Sequence, residues 1–246
     1  MAVTDEAILT IKQMILSGEL RPGDRLPPEK ELSERLRLSR NSMREAVKAL
    51  EAMRILDVRR GDGTYVTSLE PDLLNEAMSF IIEAQQDHDA ILEIFAVRRI
   101  LEPAASALAA TRIGEPELEA LRRSIDSVPA DPEVDEVVAH DLAFHAAIAA
   151  GSGNRYLASL LDSLSGRTVR ARLWRGITEE NATERTLREH TAIVDALAAR
   201  DGALAEALTV SHIAGIEGWL RRWAGSEEIA GIAGIADVAD TAQIAD

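Results

Sequence analysis

From Pro71 to Trp223 the chain repeats apolar residues at helical spacing and offers no stretch that alternates as a strand would. The periodic segments run near 72–86, 89–111, 115–126, 132–150, 154–176, 182–200 and 202–223. Gly114, the Gly151-Ser-Gly153 turn, Gly176 and Gly202 punctuate them, and Pro116 stands where a first helical turn tolerates it. Helices without a sheet to cover can bury their apolar faces only against one another, so this part predicts an antiparallel α-helical bundle. Aromatic residues are only 3% of the chain although hydrophobic residues are 46%, so the core must be built mainly from Ala, Leu and Ile. Residues 226–246 are small and acidic, lack aromatics, and predict a mobile acidic tail with no assigned role.

Net charge divides the chain. The overall value is −15, yet residues 1–70 hold 12 Lys and Arg against 12 Asp and Glu, while residues 71–246 hold 15 against 30. All three lysines, Lys12, Lys30 and Lys48, lie in the first part, where a locally basic face is therefore available to nucleic acid. The break near Glu70-Pro71 predicts domains at 1–70 and 71–225, and 246 residues suffice for two cores. There is no Cys, which excludes disulfides, thiolate catalysis and Cys-ligated metal and fits a reducing cytosol. The start Met-Ala-Val-Thr-Asp-Glu has neither a basic nor an apolar leader region, and no apolar run approaches the roughly 20 residues that span a bilayer. The expectation is a soluble cytoplasmic protein.

Residues 1–70 can be read element by element. Asp5 to Leu16 places Ala7, Ile8, Ile11, Ile15 and Leu16 on one helical face, and Gly18 ends the helix. A second helix begins near Pro28, a favoured first-turn residue, and carries Leu32, Leu36 and Leu38 inward. After the short turn at Leu38-Ser-Arg40, Ser39 is a good N-cap for a third helix with the apolar stripe Met43, Ala46, Val47, Leu50 and Met53. Arg40, Asn41, Ser42 and Arg44 stay exposed near its start. Two helices joined by a tight turn, the second presenting polar groups at its amino end, form the arrangement that enters a major groove. Ile55 to Val58 and Thr64 to Thr67 are β-prone runs around Arg59-Arg-Gly-Asp-Gly63, a hairpin with a basic, glycine-rich tip. The whole chain is thus mainly α, a winged helix-turn-helix followed by a helical bundle.

Leu26-Pro-Pro-Glu-Lys-Glu-Leu32, Leu38-Ser-Arg-Asn-Ser-Met-Arg-Glu-Ala46 and Gly61-Asp-Gly-Thr-Tyr-Val66 closely resemble the signature of GntR-superfamily transcription regulators. The resemblance implies that Lys30, Arg40 and Arg44 contact phosphates and base edges, while Arg60 and the Gly61 to Gly63 tip reach the minor groove. Arginine suits bidentate reading of guanine, and Ser39, Asn41 and Ser42 can donate to backbone oxygens. The plainer alternative is that these side chains are a solvated face. One departure stands out: Arg54 occupies a place where the family usually has Gly.

In the second part Asp141 and His145 stand four residues apart on one helical face, whereas His140 lies about 140° from His145 around the helix and is expected to point elsewhere as a bystander. His190 and His212 follow within apolar periodic frames. Each taken singly reads as a hydrogen-bonded core or surface histidine; together, one carboxylate and three imidazoles can close a metal site. Val97-Arg-Arg-Ile-Leu-Glu-Pro103, Asp141-Leu-Ala-Phe-His145, Gly153-Asn154, Glu189-His190 and Ser211-His212 resemble the FCD domain of the FadR subgroup. With the winged module, the resemblance covers roughly residues 5–223. It implies that Asp141, His145, His190 and His212 hold one divalent ion. Mixed imidazole and carboxylate ligands suit zinc, the default, and also nickel, manganese or iron. Positions would remain open for an effector carboxylate, and the resemblance makes Arg98 its second clamp; pairing of Arg98 with Glu93 or Glu102 is the alternative. Asn154 reads as a helix cap.

An open metal position also admits a metal-dependent hydrolase, but no His-Glu-x-x-His or Gly-x-Ser-x-Gly pattern accompanies it, so no enzyme is expected. A regulator with a purely structural metal is the other alternative. The reading reached is a homodimeric transcription regulator, a repressor, that binds double-stranded operator DNA and senses a small carboxylate metabolite.

Overall fold

Ten α-helices, one 3-10 turn and a two-stranded sheet are formed by residues 3–84 and 88–223, which the computed structural model describes. The tail expected at 226–246 lies outside the described residues. The chain divides into two units, residues 1–74 and residues from 75 onward.

The first unit holds α1 (Val3–Leu16), α2 (Glu29–Leu36), α3 (Arg40–Ala52), β1 (Leu56–Arg59) and β2 (Gly63–Val66). Both α1 and α2 pack on α3. Their core joins Ala7, Ile11 and Met14 of α1 to Leu32 of α2 and to Met43, Ala46, Val47 and Leu50 of α3. Leu56 and Val66, paired across the hairpin, complete it. Two residues expected in the apolar stripes are exposed instead. Leu16 is 81% exposed because it lies about 140° from Ile11 around the helix, and Met14 takes the inward position. Met53 is 48% exposed because it caps α3 rather than continuing it.

Local chemistry sets the helix ends. Ser39 accepts a hydrogen bond from Ser42 N at 3.0 Å and starts α3. At the other end Arg54 adopts φ 57°, so that its N–H bonds Glu51 O and Ile55 N–H bonds Leu50 O, each at 2.9 Å. This paired closure requires a left-handed residue, which is why glycine suits the position. The strands pair in antiparallel register from Leu56 with Val66 to Arg59 with Gly63.

A 3-10 turn (Pro71–Leu74) ends the first unit, and the second contains α4 (Asn75–Ala84), α5 (His88–Arg112), α6 (Glu115–Asp126), α7 (Val134–Gly151), α8 (Arg155–Thr178), α9 (Ala182–Ala198) and α10 (Gly202–Trp223). The long α5 packs along α10 and also touches α7, α8 and α9; α4 lies on α8, and α6 covers α7 and α9. Asn154 caps α8 by accepting from Tyr156 N and Leu157 N, both at 3.2 Å. One apolar cluster joins Phe144 and Ile148 of α7 to Ile193 and Leu197 of α9, and another joins Phe95, Ala171, Ile213, Ile216 and Trp219. The same helices bury Arg98, Glu102, Asp141, Arg172, His190 and His212. Charge is kept inside a protein only where it is paired or used, so this polar set is where a function belongs. Among the described residues no helix is long and apolar enough to cross a membrane.

Candidate metal centre

Asp141 and His145 project from successive turns of α7, His190 comes from α9 and His212 from α10. The structure brings one ligand atom from each to within 4.8 Å of every other. Asp141 Oδ1 lies 3.2 Å from His190 Nε2, 3.5 Å from His145 Nε2 and 3.8 Å from His212 Nε2. His145 Nε2 and His212 Nε2 are 3.2 Å apart. Bonds of about 2.0–2.2 Å to a common centre would set such ligand atoms roughly 3–3.6 Å from each other; three of these spacings fall in that range and the Asp141–His212 spacing is slightly wider, so the cluster is of a size that could hold one divalent ion. His190 Nε2 is buried and faces Asp141 Oδ1.

The nitrogens turned away from this centre are all engaged. His145 Nδ1 is 2.7 Å from Glu102 Oε2, and His212 Nδ1 is 2.7 Å from Glu189 Oε2. His190 Nδ1 meets His140 Nε2 at 3.1 Å, and His140 Nδ1 meets Ser124 Oγ at 2.9 Å. His140 is therefore no bystander: its ring leans on His190 from the adjoining helix, an encounter that angles around α7 alone do not reveal. Phe144 stacks on His190 at 3.8 Å between ring centroids.

Electrostatics separate the three imidazoles. Burial lowers the His190 pKa to about 3, and burial likewise lowers that of His212 despite its bond to Glu189, so both are neutral near pH 7. Burial opposes charge on His145 too, but Glu102 and Asp141 outweigh it and raise its pKa. Asp141 stays ionised because Arg172 and His145 overcome the cost of burial. Glu102 stays ionised through Arg98 and His145 in the same way.

Arg98 takes the pairing with Glu102 that was the alternative weighed for it. Its Nε bonds Glu102 Oε1, yet Nη1 and Nη2 are buried without hydrogen-bond partners. Arg172 was not singled out in the sequence. It approaches Asp141 Oδ2 through Nε at 3.0 Å, and its Nη1 and Nη2 also lack hydrogen-bond partners. Burial and the like charge of Arg98 lower its pKa to about 10. Leu161, Thr168, Arg172 and Arg175 all fall on the buried face of α8, so an arginine at inward helical spacing was the available signal. Asp141, Arg172, Val138 and Thr186 line a cavity at this point.

In the first unit Arg40, Asn41 and Arg44 are exposed at the start of α3, and Arg60 and Gly61 are exposed at the hairpin tip. Among the described residues no ion pair engages Arg40, Arg44 or Arg60. Lys30 is only loosely paired with Glu34, at 4.0 Å. Ser39 Oγ is occupied as the cap of α3 and lies 2.9 Å from Ser42 Oγ, so these hydroxyls first serve the helix. Gly61 has φ 78°, and Gly63 is crowded by the Arg25 side chain, which leaves no room for a Cβ without displacing it.

A winged helix-turn-helix joined in one chain to a helical domain with a buried His and Asp cluster is the architecture of a two-domain DNA-binding regulator. Residues 4–66 match the bacterial regulatory proteins of the gntR family and residues 93–215 match the FCD domain. The chain is similar to the HTH-type transcriptional regulator LutR of Bacillus subtilis, 34% identical with 83% of this chain and 94% of the relative covered. The galactonate operon transcriptional repressor of Escherichia coli is 30% identical, with 86% and 93% covered. A solved Streptococcus agalactiae GntR structure superposes with a TM-score of 0.62 at 26% identity, covering 88% of this chain and 99% of that one. The protein belongs to the GntR family of DNA-binding transcription regulators and carries an FCD domain.

Proposed function

We propose that the protein is a homodimeric cytoplasmic repressor whose residues 1–70 bind operator DNA and whose residues 71–225 hold one divalent ion and sense a small organic acid. The observation that carries this reading is the set of unpartnered guanidinium nitrogens of Arg98 and Arg172, both buried beside Asp141 and Glu102. Leaving buried cationic donors unpaired costs several kcal/mol unless an anion completes them. A purely structural metal site would give them no use.

Asp141, His145, His190 and His212 would hold the ion, zinc by default and nickel, manganese or iron by the same chemistry. When bound, the ion supplies a Lewis-acid anchor for a carboxylate. Glu102 fixes Arg98 through Nε, which leaves the Nη edge to grip the same anion in a two-pronged bond. Arg172 adds a second cation next to the cavity. The Escherichia coli relative is by name the repressor of a galactonate operon, and galactonate is a hydroxy carboxylate. Val97 and Ile100, one helical turn apart on α5, are exposed apolar residues of the kind a two-fold partner covers. A dimer presents two α3 helices to a pseudo-palindromic site, for which Arg40 and Arg44 supply phosphate and base contacts and Arg60 with Gly61 and Gly63 the wing contact. Ligand coupling of about 1–3 kcal/mol changes operator affinity roughly 5–150-fold.

The test joins elemental analysis of the dialysed protein to a thermal-shift screen of hydroxy, keto and sugar acids, then to operator binding with each hit. About one metal per chain, stabilisation by a selective acid, release of operator DNA by that acid and loss of the response in Arg98→Met are expected. Metal without any responsive acid would point to the structural site, and turnover of an acid to a hydrolase.

A further inference from the structure

We propose that His140 and Ser124 form a positioning relay that fixes the tautomer and orientation of His190 for metal binding; this rests on the metal reading above. The three ligand imidazoles are backed unequally. Glu102 backs His145 and Glu189 backs His212, each at 2.7 Å, whereas His190 is backed by another imidazole at 3.1 Å. Among the described residues no carboxylate reaches His190 Nδ1.

The proton arrangement follows from what a metal ligand must offer. His190 faces Asp141 and the other ligands through Nε2, and a metal ligand must offer its lone pair on that atom, so in the metal-bound form Nδ1 carries the proton. Nδ1–H then donates to His140 Nε2, which must be a lone pair, and His140 therefore carries its own proton on Nδ1 and donates it to Ser124 Oγ at 2.9 Å. The relay spans α6, α7 and α9. Phe144 stacked on His190 holds the ring plane, and His140 holds its rotation within that plane. Outer partners of metal-bound histidines commonly contribute 10- to 100-fold in metal affinity, and a neutral acceptor orients the ligand without adding negative charge behind it.

The experiment uses the full-length protein, with Co2+ affinity by chelator competition, the visible spectrum of the Co2+ form, and nitrogen-15 histidine NMR of the Zn2+ form. His140 in the wild type should show the Nδ1–H tautomer. His140→Leu should lose roughly 10- to 100-fold in Co2+ affinity and alter the visible bands. His140→Gln, whose carbonyl can accept from His190 Nδ1–H, should recover most of the affinity and the wild-type spectrum. Equal Co2+ affinity and spectrum in His140→Leu, or a wild-type His140 protonated on Nε2, overturns the relay and leaves the metal centre standing. A wild type that takes up neither Co2+ nor Zn2+ overturns both. Should His140→Leu fail to fold, the tautomer in the wild type decides.

Discussion

On the proposed metal reading, His145 is the ligand whose proton has to leave. With Nδ1 donating to Glu102 and Nε2 set among Asp141 and His212, the imidazolium of His145 is favoured and its pKa raised, whereas His190 and His212 are already neutral. Because the pKa is raised, the proton is present below the folded value and lost above it. Metal must displace it in the lower range, so metal affinity falls as pH decreases through that value. Titration calorimetry at pH 6.5 in buffers of different ionisation enthalpy should show net proton release on metal binding; zero release would remove the charged His145. The pairing of Asp141 with His145 was legible in the sequence because both lie on one helix at a four-residue interval. The contact of His140 with His190 was not, since position around α7 says nothing about the helix that approaches its flank. Arg172 was legible in principle, as an arginine at inward spacing on α8.

Most helix ends could be read because they depend on residues within a turn of the end. Ser39, Asn154 and the glycines after α1 and before α6 act locally, and local rules find them. The exposure of Leu16 and Met53 could not be read from apolar character alone, since it depends on where α1 turns and where α3 stops. Arg54 shows an element end in conflict with its residue. Its left-handed φ of 57° closes α3, and a side chain in that conformation costs about 1–2 kcal/mol that glycine avoids. Glycine loses part of this gain through the greater freedom of the unfolded chain. Arg54→Gly removes this backbone cost together with whatever the Arg54 side chain contributes, and a raised thermal midpoint of the first unit is the expected outcome. An unchanged or lowered midpoint would mean that the side chain of Arg54 contributes as much as its backbone costs.

At the scale of the whole chain the sequence already separated the labour, because its charge did: residues 1–70 are balanced and all the excess acid lies beyond them. What the cavity beside Asp141 and Arg172 accepts was not legible, since it is shaped by side chains from α7, α8, α9 and α10 that meet only in the folded domain. The separation has a measurable consequence. Arg44 is exposed near the start of α3 and unpaired among the described residues, while His190 is fully buried in the second unit. Arg44→Ala should weaken operator binding by about 1–3 kcal/mol if it reads a base, or lower the salt slope by about 1 if it neutralises a phosphate, with metal content unchanged. His190→Ala should lose metal and the response to acid while retaining operator binding in the absence of ligand. Normal operator binding by Arg44→Ala would remove α3 as the reading helix, and an unchanged metal stoichiometry in His190→Ala would dissolve the four-ligand site. If each variant instead lost both properties, DNA binding would depend on the metal itself, and the acid would act by disturbing that dependence rather than by selecting between two metal-loaded states.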